Sequence, residues 1–324
     1  MKCRARLLIL LPLVLLMLSV GVFMHPLSAY AATHPVHKAK PHFFWKKGHH
    51  KSRQIGNRHS QAGSAANLVY NGGPVQAGTA QVFAVFWEPT GTFVDASYND
   101  LLKRYFGDVG SSPLYHNNTQ YTDSTGKAPQ NSTLGGTWVD TAAYPTPAGA
   151  GVPIIFDADI QNEVTHAMSV NSWTAGVNHI FFVFLSLNEY LCFDSTLQQC
   201  SAPAGGFCAY HDAFGTTSSP VIYAAMPYDG NDLAGCYALS SSPNNDPAAD
   251  AEISTTSHEQ IEAATDPEPP SGWIDANGQE IGDKCAYVYG RLNADGSNVN
   301  WNGHAYVVQS EWDNAVSNCV FSGP

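Results

Sequence analysis

Residues 80–87 (AQVFAVFW), 179–185 (HIFFVFL) and 221–227 (VIYAAMP) are short runs that are apolar at nearly every position, and each reads as a buried strand. Around them lie stretches of helical period. Residues 97–106 (SYNDLLKRYF) set Leu101, Leu102, Tyr105 and Phe106 on one side, and residues 157–169 (DADIQNEVTHAMS) carry acids in their first turn, where the helix dipole favours them. Asp246-Pro247 supplies an N-cap followed by proline at the first helical position. A third helix should therefore run to about Thr265 and stop before Asp266-Pro267. Residues 299–309 predict a hairpin turning at Asn302-Gly303. Strands alternating with helices over residues 67–324 predict a single α/β or α+β domain without internal repeats.

The two ends of the chain differ sharply in charge. Residues 1–66 hold 10 of the 15 Lys and Arg and no Asp or Glu, so residues 67–324 carry 5 basic against all 27 acidic groups, a net charge of −22. A body that acidic repels a polyanion, which argues against nucleic acid as a partner of residues 67–324. Lys2, Arg4 and Arg6, an apolar run from Leu7 to Val22 and Ala29-Tyr30-Ala31 read as a secretory signal with its cleavage site, so residues 1–31 are expected to be removed and the product secreted, the alternative being an uncleaved membrane anchor of similar length. After the signal no apolar run is long enough for a membrane span, and a monomer without membrane attachment is expected. Residues 32–66 are poor in apolar side chains and carry six histidines among seven Lys and Arg, which reads as a disordered basic linker or pro-segment. Its alternative role is an arm that docks on the acidic body, on an anionic wall polymer or around metal ions.

Six cysteines follow the signal: Cys192, Cys200, Cys208, Cys236, Cys285 and Cys319. In an exported chain they suggest three disulfides, with 15 conceivable pairings, and position favours Cys285 with Cys319. The absence of C-x-x-C argues against a cysteine zinc site or a thioredoxin-type redox motif. Asn117-Asn118-Thr119 and Asn131-Ser132-Thr133 are glycosylation sequons.

The densest chemistry lies in residues 257–285 (SHEQIEAATDPEPPSGWIDANGQEIGDKC). His258 and Glu262 are four apart on the predicted helix and so share a face, with Glu259 about 100° round from His258. In H-E-x-x-H peptidases two histidines hold zinc and the glutamate activates water; here Glu262 replaces the second histidine, giving a harder, more anionic H-E-x-x-E set. Glu259 is the candidate general base, and His258 and Glu262 are candidate ligands for zinc. Glu280 and Asp283 rank together as third ligand, ahead of Asp266, and His211 is a further candidate. The opposing expectation is an amphipathic helix whose His and Glu are solvated. Calcium is the second cation considered, through Asp275, Asn277 and Asp283 around Gly278, although the spacing is not that of an EF-hand. No G-x-S-x-G elbow or phosphate-binding glycine loop occurs, while a two-carboxylate glycosidase stays open.

Several short motifs stand in a fixed order: Asn71-Gly72-Gly73-Pro74-Val75 before the strand ending Phe86-Trp87, Tyr121-Thr122-Asp123, Phe207-Cys208 with Tyr210-His211, and Ser257-His258-Glu259 through Thr265-Asp266-Pro267 to Glu280-Ile281-Gly282-Asp283 and Cys285. Asn302-Gly303, Val307-Val308-Gln309 and Cys319 close the series. In this order the chain resembles the exordium, or phosphate-induced protein, family over most of residues 67–324. The resemblance implies a secreted or wall-associated protein without an assigned reaction, and it makes the H-E-x-x-E helix and the E-I-G-D segment part of a family pattern. The histidine-rich leader and Cys200 depart from the plant pattern, so wall-growth roles are not carried across. The expectation is thus a signal peptide, a basic linker and one disulfide-braced domain with a zincin-like helix. Its function is either a zinc-dependent peptidase acting on peptides or proteins, or a non-catalytic extracellular protein that binds a wall polymer or signals.

Overall fold

A computed structural model describes residues 40–48, 66–145, 154–202 and 206–324. The expected signal peptide, 1–31, lies outside these residues, as does most of the leader. Six strands form the main sheet: β1 (His42–Trp45), β2 (Thr79–Trp87), β3 (Asn131–Asp140), β4 (His179–Phe184), β5 (Phe207–Thr216) and β6 (Ser219–Met226). Their spatial order is β1-β5-β6-β4-β2-β3; β6, β4, β2 and β3 run parallel, while β5 pairs antiparallel with both β6 and β1.

Period two along the strands divides the core. On β2, Val82, Ala84 and Phe86 pack toward one hydrophobic layer, and Phe83, Val85 and Trp87 toward the other; β4 divides in the same way, with Ile180, Phe182 and Phe184 opposite Phe181 and Val183. The first layer is covered by helices α1 (Tyr98–Val109) and α3 (Pro247–Thr265), the second by α2 (Asp157–Asn171). Strands buried on both faces need no alternation of polar residues, which is why the three apolar runs mark the centre of the sheet. The chain is therefore a mixture of α and β around one multistranded sheet. The hairpin at Asn302-Gly303 forms as expected, between Val299–Trp301 and His304–Tyr306.

Three disulfides brace the fold: Cys192–Cys200, Cys208–Cys236 and the expected Cys285–Cys319. Among the described residues no helix is long and apolar enough to cross a membrane. The leader departs from expectation. Residues 42–45 (HFFW) are not a disordered linker but the edge strand β1, and the fold extends N-terminal to the boundary drawn at residue 67. The reason is aromatic: Phe43 packs against Phe193, Phe207 and Tyr210 on one side of the sheet, and Phe44 against His258 and Tyr287 on the other. The sequon at residues 117–119 is also corrected, because Asn117 and Asn118 are completely buried and the Asn117 amide donates to the Trp312 carbonyl.

Candidate metal centre

Helix α3 begins as its sequence predicts. The Asp246 carboxylate accepts the Ala249 N–H at 3.0 Å, a cap worth about 1 kcal/mol, and Pro247 takes the first position. The body of the helix is unusual for so polar a segment, because every residue from Ala248 to Thr265 is buried. The solvated amphipathic helix is thereby overturned. Its acids have internal partners: Asp250 accepts from Ser242 and Asn244, and Glu252 accepts the Asp229 N–H at 2.8 Å.

His258, Glu259 and Glu262 project from the last two turns, all with 0% exposure. His258 Nε2 lies 3.1 Å from Glu262 Oε1 and 3.9 Å from Asp283 Oδ1. Nδ1 of His258 has no hydrogen-bond partner, and Nε2 has only these two carboxylates within ion-pair distance. The E-I-G-D segment closes over this pair. The Asp283 N–H donates to Glu262 Oε1 at 2.9 Å, and the Glu280 N–H donates to Asp283 Oδ2 at 3.2 Å. Gly282 between them is required by space, since a Cβ there would stand 2.7 Å from His258 Nδ1 and 3.0 Å from Glu262 Oε1. The structure thus places Glu262 and Asp283 beside His258, with Glu280 bonded to Asp283 through its N–H, although neither His258 nor Glu280 belongs to a compact group of potential ligand atoms among the described residues.

His211, on β5, is fully buried and faces Glu259 rather than standing alone among aromatics. Its Nδ1 lies 3.0 Å from Glu259 Oε2, and its Nε2 lies 3.1 Å from the Asp266 carbonyl oxygen. An N–H directed at that carbonyl leaves Nδ1 as the acceptor, so a protonated Glu259 donates to it. Burial drives both groups toward neutrality: the His211 pKa falls to about 4, and Glu259 is held well above the usual carboxylate range. Asp266 is the helix C-cap. Its Oδ1 accepts the N–H groups of Ser271 and Gly272, its Oδ2 is buried without a hydrogen bond, and its backbone carbonyl orients His211. Asp275 is likewise engaged by the Asn277 and Gln279 N–H groups of its own turn and by Lys284, whereas Asp283 faces the other way, toward His42 and His258.

His42 is the member that sequence reasoning missed. From β1 its Nε2 is hydrogen-bonded to Asp283 Oδ2, and its Nδ1 lies 3.0 Å from Glu280 Oε1. Burial opposes a charge on His42, but Asp283, Glu280 and Glu262 outweigh it and hold its pKa well above 6.5. In return, His42 and His258 overcome the burial of Asp283 and hold its carboxyl down at about 2. The signal that could have found it is the Phe43-Phe44-Trp45 run, an apolar island in a polar leader.

The donor set suits a divalent cation. Glu259 Oε1, Glu262 Oε2, Glu280 Oε2 and His258 Nδ1 are buried without a hydrogen bond, while Glu280 Oε1 has only its ion-pair contact with His42, and His258 Nε2 only those with Glu262 and Asp283. Orphaned buried acceptors are costly unless a proton or a cation satisfies them. Two compact groups of potential ligand atoms share Glu262: one with His42 and Asp283, the other with His211 and Glu259. No protein-family model, curated protein or solved structure matches the chain.

Proposed function

We propose that this chain is an exported, zincin-like, zinc-dependent peptidase related to the exordium, or phosphate-induced protein, family. The observation that carries the reading is the convergence of His258, Glu262, Glu280 and Asp283 around buried, unsatisfied donor atoms, with Glu259 beside them. His258 and Glu262, with Asp283 or Glu280, would hold the ion, which when bound supplies a Lewis acid at neutral pH. Protonated here toward His211 Nδ1, Glu259 would serve as general base once the charge of a bound ion had drawn that proton off; it would then take the proton of the attacking water and return it to the leaving amine. Three disulfides support export, because such bonds persist in oxidising compartments.

The test is metal analysis of the purified protein together with Glu259→Gln. One zinc per chain, retained in the variant while any peptide hydrolysis falls by at least about a hundredfold, is the expected result. A second reading, a non-catalytic extracellular protein that binds a wall polymer or signals, is favoured by the 0% exposure of His258, Glu259, Glu262 and Glu280. Protein free of zinc after dialysis, or an undiminished rate in the variant, would leave that reading standing.

A further inference from the structure

Strand β1 lies antiparallel along the outer edge of β5, with His42 opposite His211, Phe43 opposite Tyr210 and Phe44 opposite Ala209. Alternation sends His42 and Phe44 to the α3 side. Phe44 fills the space between the His258 ring, 4.2 Å away, and the Tyr287 ring, 5.1 Å away, while His42 reaches Glu280 and Asp283. Lys46 continues the pattern with its ammonium 2.9 Å from Asp232. Three kinds of recognition are therefore aligned on one extended segment: main-chain pairing to a sheet edge, an aromatic side chain in a pocket, and basic side chains on carboxylates.

The walls of this groove are also held from the sides away from β1. Strand β5 runs for ten residues and is paired on its other side with β6 over most of its length, while Cys208–Cys236 braces the floor. Glu280, Glu262 and Asp283 are positioned by the turn that crosses α3, through the Asp283 N–H. With β1 seated, no solvent reaches His258 or Glu262. A catalytic cluster cannot act on a substrate it cannot meet.

We propose that the β5 edge beside Glu280 and Asp283 is a binding groove for an extended peptide with aromatic and basic side chains, occupied in this structure by the chain's own leader strand as a displaceable plug. This rests on the peptidase reading only for the claim that the plug stands where substrate would lie. The mode is strand addition, in which backbone hydrogen bonds provide affinity and alternate side chains provide choice. His42 takes the place on Glu280 and Asp283 that a cation or a substrate group would otherwise fill.

The test uses the full chain with a recognition sequence for a site-specific protease inserted between Gly48 and Ala66, cut after folding and stripped of metal by a chelator. The probe is a fluorescent peptide of residues 40–48, followed by anisotropy. The expected result is exchange into the cut chain, no binding to the uncut chain, and binding at least about tenfold weaker for probes carrying His42→Ala or Phe44→Ala. A cut chain that loses its native circular dichroism, or that never exchanges its strand for excess probe, makes β1 a fixed part of the fold and overturns the proposal. A His42→Ala probe that binds as well as the native one overturns it too. Neither metal nor turnover enters this readout, so a chain that exchanges the probe yet hydrolyses no peptide supports the groove while refuting the peptidase.

Discussion

Glycine to alanine should act with opposite signs at two positions of this chain. At Gly282 the new methyl would sit 2.7 Å from His258 Nδ1, 2.8 Å from His258 Cε1 and 3.0 Å from Glu262 Oε1. None of these atoms can retreat easily. His258 is backed by Phe44 at 4.2 Å between ring centres, and Glu262 is held by the Asp283 N–H at 2.9 Å. The backbone of 281–285 is itself pinned by the Trp312 N–H on the Ile281 carbonyl and by Cys285–Cys319. Ordinary contact begins near 3.4 Å, so either the turn or the histidine must move by about 0.7 Å, and overpacking of this kind costs about 1–3 kcal/mol. At Gly107, within α1, a Cβ meets nothing within 4 Å, and alanine there should stabilise by about 0.5–1 kcal/mol because glycine is the poorer helix former. Urea unfolding followed by circular dichroism measures both, and zinc titration measures the site. Gly282→Ala should lower the midpoint and weaken zinc binding, while Gly107→Ala should raise the midpoint and leave zinc unchanged. A Gly282→Ala protein as stable as the native chain, with undiminished zinc affinity, would refute the reasoning that this glycine creates the space for the centre.

Replacing His258 with alanine should abolish stoichiometric zinc by elemental analysis, and full occupancy in the variant would refute the ligand set. Glu163 on α2 is pushed up to about 8 from an ordinary 4.5, first by burial and then by the neighbouring Asp140. An acid whose folded pKa is raised destabilises the fold progressively as pH climbs from 4.5 to 8, by at most roughly 5 kcal/mol, and by about 2 once the half-exposed His166 beside it admits water. Glu163→Gln should therefore match the native chain at pH 4.5 and exceed it at pH 8, and parallel stability curves in urea would overturn the assignment. Removing Cys285–Cys319, which spans 34 residues, should cost about 4 kcal/mol by loop entropy, against about 2.5 for the eight-residue Cys192–Cys200. Serine pairs compared by thermal unfolding should show the larger loss at Cys285–Cys319, and a reversed order would overturn the loop-entropy argument.

The local elements were legible in the sequence because their causes are local. Proline after an aspartate cap started α3 at the right residue, the apolar runs became the central strands, and Asn302-Gly303 turned the hairpin. A spacing of four residues on one helix places His258 beside Glu262 whatever the rest of the chain does. The third-ligand candidates Glu280 and Asp283 were found in the same segment, and the proximity of both is a matter of one short turn. Strand β3 was missed because Gly135 and Gly136 interrupt its apolar pattern, and β5 because His211 and Asp212 do the same.

Tertiary structure decided the rest. Whether a helix carrying two glutamates and a histidine near its end is solvated or buried depends on what covers it, and β1, β5 and the turn at Gly282 cover that end of α3. The pairing of His42 with Asp283 joins residues 241 apart in sequence, and that of His211 with Glu259 joins residues 48 apart. No periodicity carries such information, since a strand's partner is chosen by the free edge and the pocket it meets in space. The sequence alone determined which residues could do chemistry; the packing of the leader strand against the β5 edge determined which of them meet, and closed them off from solvent.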